Sequence, residues 1–270
     1  MGIHVSRINP YVSDYTSSDK AEVKSSAAVE KTEKSYATDP VATYSPSPAI
    51  NPKDTVAYAI TPMVLPIPFI DKYVNPEVVE KALKTNPNIK DLLLSRNVIP
   101  VISAKNIGAH TKRHMFTTYM YAMELAKQVG LDAENTNVLA QAALVHDIGK
   151  ALIPESIIQK PAKLTPEERK VIDLHADLSA EIIKTTDIDP RVVAIVGKHH
   201  ITTDEAGDDL VSQILSVADV YSALKEERPY KTAMPDSQAF KIMEKMPKLS
   251  QPLVQSLKFA RCQIASSYKT

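Results

Sequence analysis

Five of the seven histidines in this 270-residue chain form one ordered set: His110, His146 with Asp147 beside it, His175, and the pair His199 and His200, closed by Asp219. Imidazole nitrogens and carboxylate oxygens together suit Fe, Mn or Zn better than Ca. The chemistry this spacing points to is metal-dependent hydrolysis. In a vicinal His-Asp pair the imidazole can bind one ion while the carboxylate bridges two. His199 and His200 can likewise face different ions, because neighbouring helical residues point about 100° apart. Asp219 lies four residues after Leu215 and eight after Val211, on a face that should be buried. A lone carboxylate there costs several kcal/mol unless it is paired or bound to metal. A core histidine or a salt-bridged aspartate would explain any one of these residues. Several helices each placing a donor on an inward face point instead to a shared site, of the kind built inside helical bundles.

The elements that must position these donors read as helices, and the fold class as all-α. The pattern predicts a helix from about Ala109 to Val129, ended by Gly130, and another from about Ala133 to Asp147 with Leu139, Ala142, Ala143 and His146 on one face. Thr165-Pro166-Glu167-Glu168 is a capping box with proline at the first helical position, opening a helix that carries His175. Asp189-Pro190 caps a helix leading to His199 and His200, and a further one from about Asp209 to Leu224 carries Asp219. Pro76 starts an earlier helix with Val78, Val79 and Leu83 on its stripe, whereas the proline-spaced Thr61 to Ile70 is expected to lie extended. No strand pattern and no internal repeat is present.

Residues 1–56 are rich in Ser, Thr, Pro, Lys and Glu and cannot bury enough apolar surface to offset their ordering entropy. They are expected to form a disordered N-terminal tail of the kind that binds a partner protein. Residues 57–100 are read as the extended segment and N-terminal helices packing on the core, and 101–270 as the site-bearing domain. Lys and Arg (32) balance Asp and Glu (32), so no global field recruits DNA or an anionic membrane. No run approaches the length of a membrane span, and the N-terminus lacks the apolar core of a secretory signal. Cys262 is the single cysteine, which rules out an internal disulfide framework and fits a reducing compartment. It is expected to be a partly buried small hydrophobe. The chain reads as cytoplasmic.

The stretch HDIGKALIPESIIQKPAKLTPEE is followed in order by His175, KHH and LSVADVYSALKEERPYK, and preceded by GAHTKRH. Together these resemble the HD superfamily, and within it the HD-GYP branch of bacterial cyclic di-GMP phosphodiesterases, over roughly residues 100 to 245. The resemblance implies an HD-type helical bundle around a dinuclear centre of two divalent ions, Fe or Mn. Its ligands would be His110, His146, Asp147, His175, His199, His200 and Asp219, with Asp147 bridging. Lys150 would sit beside the scissile phosphate, with Asp147 in the catalytic role, and Arg228 and Lys231 would hold the substrate's phosphates. The implied activity is that of a metal-dependent phosphohydrolase acting on cyclic di-GMP, by attack of a metal-bridging hydroxide on phosphorus. Arginine suits bidentate phosphate recognition.

The chain departs from that family in three ways. Trinuclear members carry Glu four positions before the first ligand histidine; counted from His110, this chain has Asn106, which favours a dinuclear site. After the paired histidines the family reads HHE and later Gly-Tyr-Pro, where this chain has Ile201 and Gly207-Asp208-Asp209. Asp204, Glu205, Asp208 and Asp209 then crowd acids beside a site meant for a dianion, although Asp208 and Asp209 can cap the following helix. Two alternatives therefore stand beside the cyclic di-GMP phosphodiesterase. One is an HD phosphohydrolase with another nucleotide or phosphoester as substrate; the other is a non-catalytic signalling or binding module.

Overall fold

Short polar side chains and prolines set most of the helix starts in this chain. Asn75 accepts from the Val78 amide, Asn86 from that of Asn88, Asp132 from that of Asn135, and Asp189 from that of Arg191. Thr165 and Glu168 complete the expected capping box in both directions. Each such cap stabilises its helix by about 1 kcal/mol. The computed structural model describes residues 66–96, 107–200, 209–227 and 232–267, and all regular structure among them is helical. The expected tail 1–56, Asn106, the loop from Ile201 to Asp208, and Arg228 and Lys231 lie outside the described residues.

In chain order the elements are α1 (Pro66–Tyr73), α2 (Pro76–Thr85), α3 (Pro87–Leu94), α4 (Ala109–Val129), α5 (Ala133–Val145), a 3-10 turn (Ile148–Leu152), α6 (Glu155–Ile158), α7 (Pro166–Ile172), α8 (His175–Ile183), α9 (Pro190–Val196), α10 (Leu210–Lys225), α11 (Asp236–Met243) and α12 (Gln251–Ser267). The long α4 packs against both α5 and α10, while α8 packs on the 3-10 turn and on α9. Met115, Tyr119, Ala122 and Leu125 of α4 meet the core there, with Leu139, Ala142 and Ala143 of α5 and Ile214, Leu215 and Ala218 of α10 equally buried. Full burial of one such leucine or isoleucine contributes roughly 1.5–3 kcal/mol. Helix α5 is buried from Val138 through Leu144 apart from Gln141, as a helix apolar on every side must be.

Three expectations are corrected. Thr61–Ile70 is not extended to its end, because α1 begins at Pro66. Prolines in a first turn lose nothing, since those amides have no helical acceptor anyway. The helix opened by the Thr165 capping box also stops at Ile172, and His175 opens a separate helix after the Asp173-Leu174 turn. Gly130 ends α4 as expected, at φ 70° in the left-handed region that favours glycine. Cys262 is exposed on α12 rather than partly buried. No helix among the described residues is long and apolar enough to cross a membrane.

Candidate metal centre

Three histidines stand where a helix has just stopped or is about to start. A helix that stops leaves its last carbonyls without main-chain partners. His146 Nδ1 donates to the Ala143 carbonyl at 2.9 Å, His199 Nδ1 to Val196 at 2.6 Å, and His175 Nδ1 to Ile172 at 2.5 Å. The break between α7 and α8 thus supplies the acceptor that orients His175. With Nδ1 protonated, each Nε2 keeps its lone pair. The Nε2 atoms of His146 and His199 are buried with no hydrogen-bond partner among the described residues.

Asp147 lies between two groups of donors. Its Oδ2 is 3.5 Å from Nε2 of both His114 and His146, while its Oδ1 is 3.2 Å from His175 Nε2. Asp219, from α10, brings Oδ1 to 2.9 Å from His114 Nε2 and 3.8 Å from His146 Nε2. On the other side the Nε2 atoms of His175 and His200 are 2.7 Å apart. Donor atoms of His114, His146 and Asp219 lie within 4.8 Å of one another, as do those of His175, His199 and His200, and those of His146, Asp147 and His199. Lys150 Nζ stands 2.5 Å from Asp147 Oδ2 with its side chain 18% exposed, at the rim of the cluster.

The electrostatics suit cation binding. Burial raises the carboxyls' affinity for protons, but Lys150 and the surrounding imidazoles hold Asp147 well below the ordinary carboxylate range. The His114 hydrogen bond outweighs burial for Asp219 and lowers it likewise. Burial pushes His146 and His200 down, and takes His175 to about 4 and His199 to about 3, with Lys150 and the neighbouring imidazoles adding to it. Four neutral imidazoles and two ionised carboxylates in one buried space are the donor set of a divalent metal site. Bare Nε2 atoms in that space are donors that an ion satisfies. The residues present fit the group.

Six of the seven expected ligands meet here, His146, Asp147, His175, His199, His200 and Asp219, with Lys150 beside them. His110 does not join either group of donors. Its side chain is 32% exposed, and its Nε2 lies 3.5 Å from Glu226 Oε2. The buried imidazole that reaches Asp147 and Asp219 from α4 belongs to His114, one turn later, which the sequence reading passes over. A signal for it exists: His114 falls on the buried stripe of Thr111, Met115, Thr118 and Ala122. Counted from His114, the position four residues earlier is His110, an imidazole, rather than Asn106. Glu226, buried beside His114, is a second residue the sequence reading omits. Asp209 takes the cap position before α10, but its carboxylate accepts from the Ser212 hydroxyl instead of a main-chain amide.

One glycine holds the two halves of the site together. The Gly149 amide donates to Ser179 Oγ at 2.9 Å, and that hydroxyl donates to the His175 carbonyl at 2.7 Å. A Cβ on Gly149 would lie 2.3 Å from the His175 carbonyl oxygen, 2.6 Å from the Ser179 nitrogen and 2.9 Å from Leu178 Cβ. Two of these are backbone atoms that cannot rotate away. Gly149→Ala is therefore expected to cost about 3 kcal/mol, seen as a fall in thermal midpoint of roughly 6–12 °C. By moving His175 away from Asp147 it should also lower metal content. An unchanged midpoint would mean that α8 can shift freely on the 3-10 turn.

A family model described as HD domain matches residues 96–250. The 3'3'-cGAMP-specific phosphodiesterase 3 of Vibrio cholerae is 31% identical over 153 residues, covering 53% of this chain and 33% of that protein. The cyclic di-GMP phosphodiesterase response regulator RpfG of Xanthomonas campestris is 37% identical over 120 residues, covering 40% of this chain and 32% of that protein. The matched regions thus span about a third of the length of these curated relatives. Among solved structures, Bd1817, an HDG"Y"P protein from Bdellovibrio bacteriovorus, is 17% identical with 67% of each chain covered and a TM-score of 0.47.

Proposed function

From the premise that the chain belongs to the HD domain family, we propose that it is a metal-dependent phosphodiesterase acting on a cyclic dinucleotide, cyclic di-GMP foremost. The observation that carries this reading is the placing of Asp147, whose two oxygens face different donor groups, His114 and His146 on one side and His175 on the other. Two divalent ions would be held by these residues, His114, His146 and Asp219 offering one set of donors and His175, His199 and His200 the other, with Asp147 beside both. Fe or Mn fits this mixture of imidazole and carboxylate. Bound there, the ions supply Lewis acidity at the phosphoryl oxygens and lower the pKa of water.

The chain's own residues do the remaining work. Hydrolysis adds water across one P–O bond, and negative charge grows on the phosphoryl oxygens and on the departing ribose oxygen. Lys150, at the rim beside Asp147, is positioned to neutralise charge on the phosphate. Arg228 and Lys231 are proposed to take the second phosphate of the dinucleotide. The curated relatives named above include enzymes for two cyclic dinucleotides, which supports the substrate class. Within that class, Ile201 and Asp208 replace residues that shape the pocket in the HD-GYP branch, so a different nucleotide is the alternative that this chain's own sequence favours.

The test loads the full chain with Fe²⁺ or Mn²⁺ under reducing conditions. Metal content is measured, followed by hydrolysis of cyclic di-GMP, 3'3'-cGAMP and a generic phosphodiester. Two metals per chain with turnover of a cyclic dinucleotide is the expected result. Turnover of the generic ester alone would move the assignment to another phosphoester. A chain that takes up no metal and turns over none of the three would overturn the enzyme reading.

A further inference from the structure

His114 differs from the other buried histidines in how its ring is held. His146, His175 and His199 each donate Nδ1–H to a carbonyl left over at a helix end. His114 lies in the second turn of the 21-residue helix α4, where the carbonyls behind it belong to the helical ladder. It cannot orient itself on its own backbone, so its Nδ1 needs a side-chain acceptor.

Helix α10 supplies it. Asp219 and Glu226 are seven residues apart, two turns along one face, and they address opposite edges of the same imidazole. Asp219 Oδ1 is 2.9 Å from His114 Nε2, and Glu226 Oε1 is 2.9 Å from His114 Nδ1. Ser222 Oγ, midway between them, is 3.4 Å from Nδ1. Glu226 is held in turn by its amide, which donates to the Ser222 carbonyl at 3.0 Å and closes α10. Its side chain is 6% exposed, and its other oxygen lies 3.5 Å from His110 Nε2. A carboxylate buried this far needs a partner of opposite or polar character, and His114 provides one.

We propose that Glu226 is a positioning residue for the metal site: it accepts Nδ1–H of His114 and so keeps the Nε2 lone pair aimed at the ion shared with His146 and Asp219. The inference rests on the metal-centre reading above. A carboxylate behind a ligating imidazole fixes its tautomer and raises its basicity, and loss of such a partner typically lowers metal affinity about 10- to 100-fold. His110, which the resemblance places among the ligands, then faces the far oxygen of Glu226 instead of the metal.

The experiment measures Mn²⁺ affinity of the full chain by competition with a chelator. Glu226→Ala is expected to weaken binding about 10- to 100-fold. Glu226→Gln, which keeps an acceptor for Nδ1–H, should recover most of it. In a His114→Ala background the effect of Glu226→Ala on affinity should vanish, because the residue acts through that ring. A purely structural role would instead give equal losses in both backgrounds and no rescue by Gln, and would overturn the proposal. Unchanged affinity in Glu226→Ala would overturn it as well. A wild-type chain that binds no Mn²⁺ would refute the metal-centre reading itself, so the two failures are distinguishable.

Discussion

Replacing Asp147 with alanine is expected to lower phosphodiester hydrolysis on the order of a thousandfold, equivalent to roughly 4 kcal/mol of transition-state stabilisation. It should also strip the chain of most of its metal. The reason is geometric. Asp147 is 1% exposed, and its two oxygens face both donor groups, Oδ2 at 3.5 Å from His114 and His146 and Oδ1 at 3.2 Å from His175, whereas Asp219 comes no nearer than 3.9 Å to His200 on the far side. Without it the two sets of imidazoles share only Asp219, whose Oδ2 is 3.9 Å from His200 Nδ1. Lys150 also loses its anion, since Nζ pairs with Oδ2 at 2.5 Å. Breaking a buried pair by removing one partner typically costs about 3–5 kcal/mol, so the alanine variant will melt earlier. Asp147→Asn separates the two effects. It keeps the volume and one oxygen acceptor while losing the charge, and should fold yet bind metal poorly. Metal content and turnover measured side by side on both variants check this. Either variant retaining full metal and wild-type turnover would show that the ions are held without a bridge at Asp147.

Much of this site is legible in the sequence because polar residues on apolar stripes leave a local trace. His146, His199 and Asp219 occur where an apolar stripe predicts burial, and a polar residue in such a position demands a partner. Gly130, the Thr165 capping box and Asp189-Pro190 mark helix boundaries by chemistry that needs no tertiary context. What escapes is set by packing. Asp173 and Leu174 are compatible with a helix, so nothing local announces the break that separates α7 from α8. It leaves the Ile172 carbonyl to accept from the His175 ring. Pro66 and Pro68 suggest extended chain, yet both fall in a first turn where a missing amide costs nothing.

The choice between His110 and His114 shows the same limit. They are one turn apart on α4, and both lie in GAHTKRH. Which of them is inward depends on where α10 crosses α4. Glu226 is harder still. It sits in the charge run Lys225-Glu226-Glu227-Arg228, which reads as a solvated helix end, and only the placing of α10 shows that it is buried. Its heptad relation to Asp219 gains meaning once one imidazole is known to lie between them.

His114→Ala is accordingly expected to weaken metal binding at the Asp219 side and lower turnover by about 10²- to 10³-fold, whereas His110→Ala should stay within about tenfold of wild type. The stability of the chelator-treated protein gives an independent check. Burial opposes charge on His114, but its hydrogen bonds to Asp219 and Glu226, with the charge of Asp147, raise its pKa from 6.5 to about 9. Above pH 6.5 the unfolded chain releases this proton while the folded chain holds it. The stabilisation is therefore full below about 6.5 and is lost as pH rises to about 9, a total of roughly 3 kcal/mol. That corresponds to a fall in thermal midpoint of about 6–12 °C across the window. The lowered imidazoles act with the opposite sign. His175, at about 4, and His199, at about 3, stay neutral when folded, so their contribution is present above 6.5 and lost as pH drops below it. The chelator-treated protein should thus be most stable near pH 6.5. In His114→Gln the alkaline arm should flatten while the acid arm persists, and in His110→Ala both arms should remain. An alkaline arm that survives in His114→Gln and disappears in His110→Ala would return the buried role to His110.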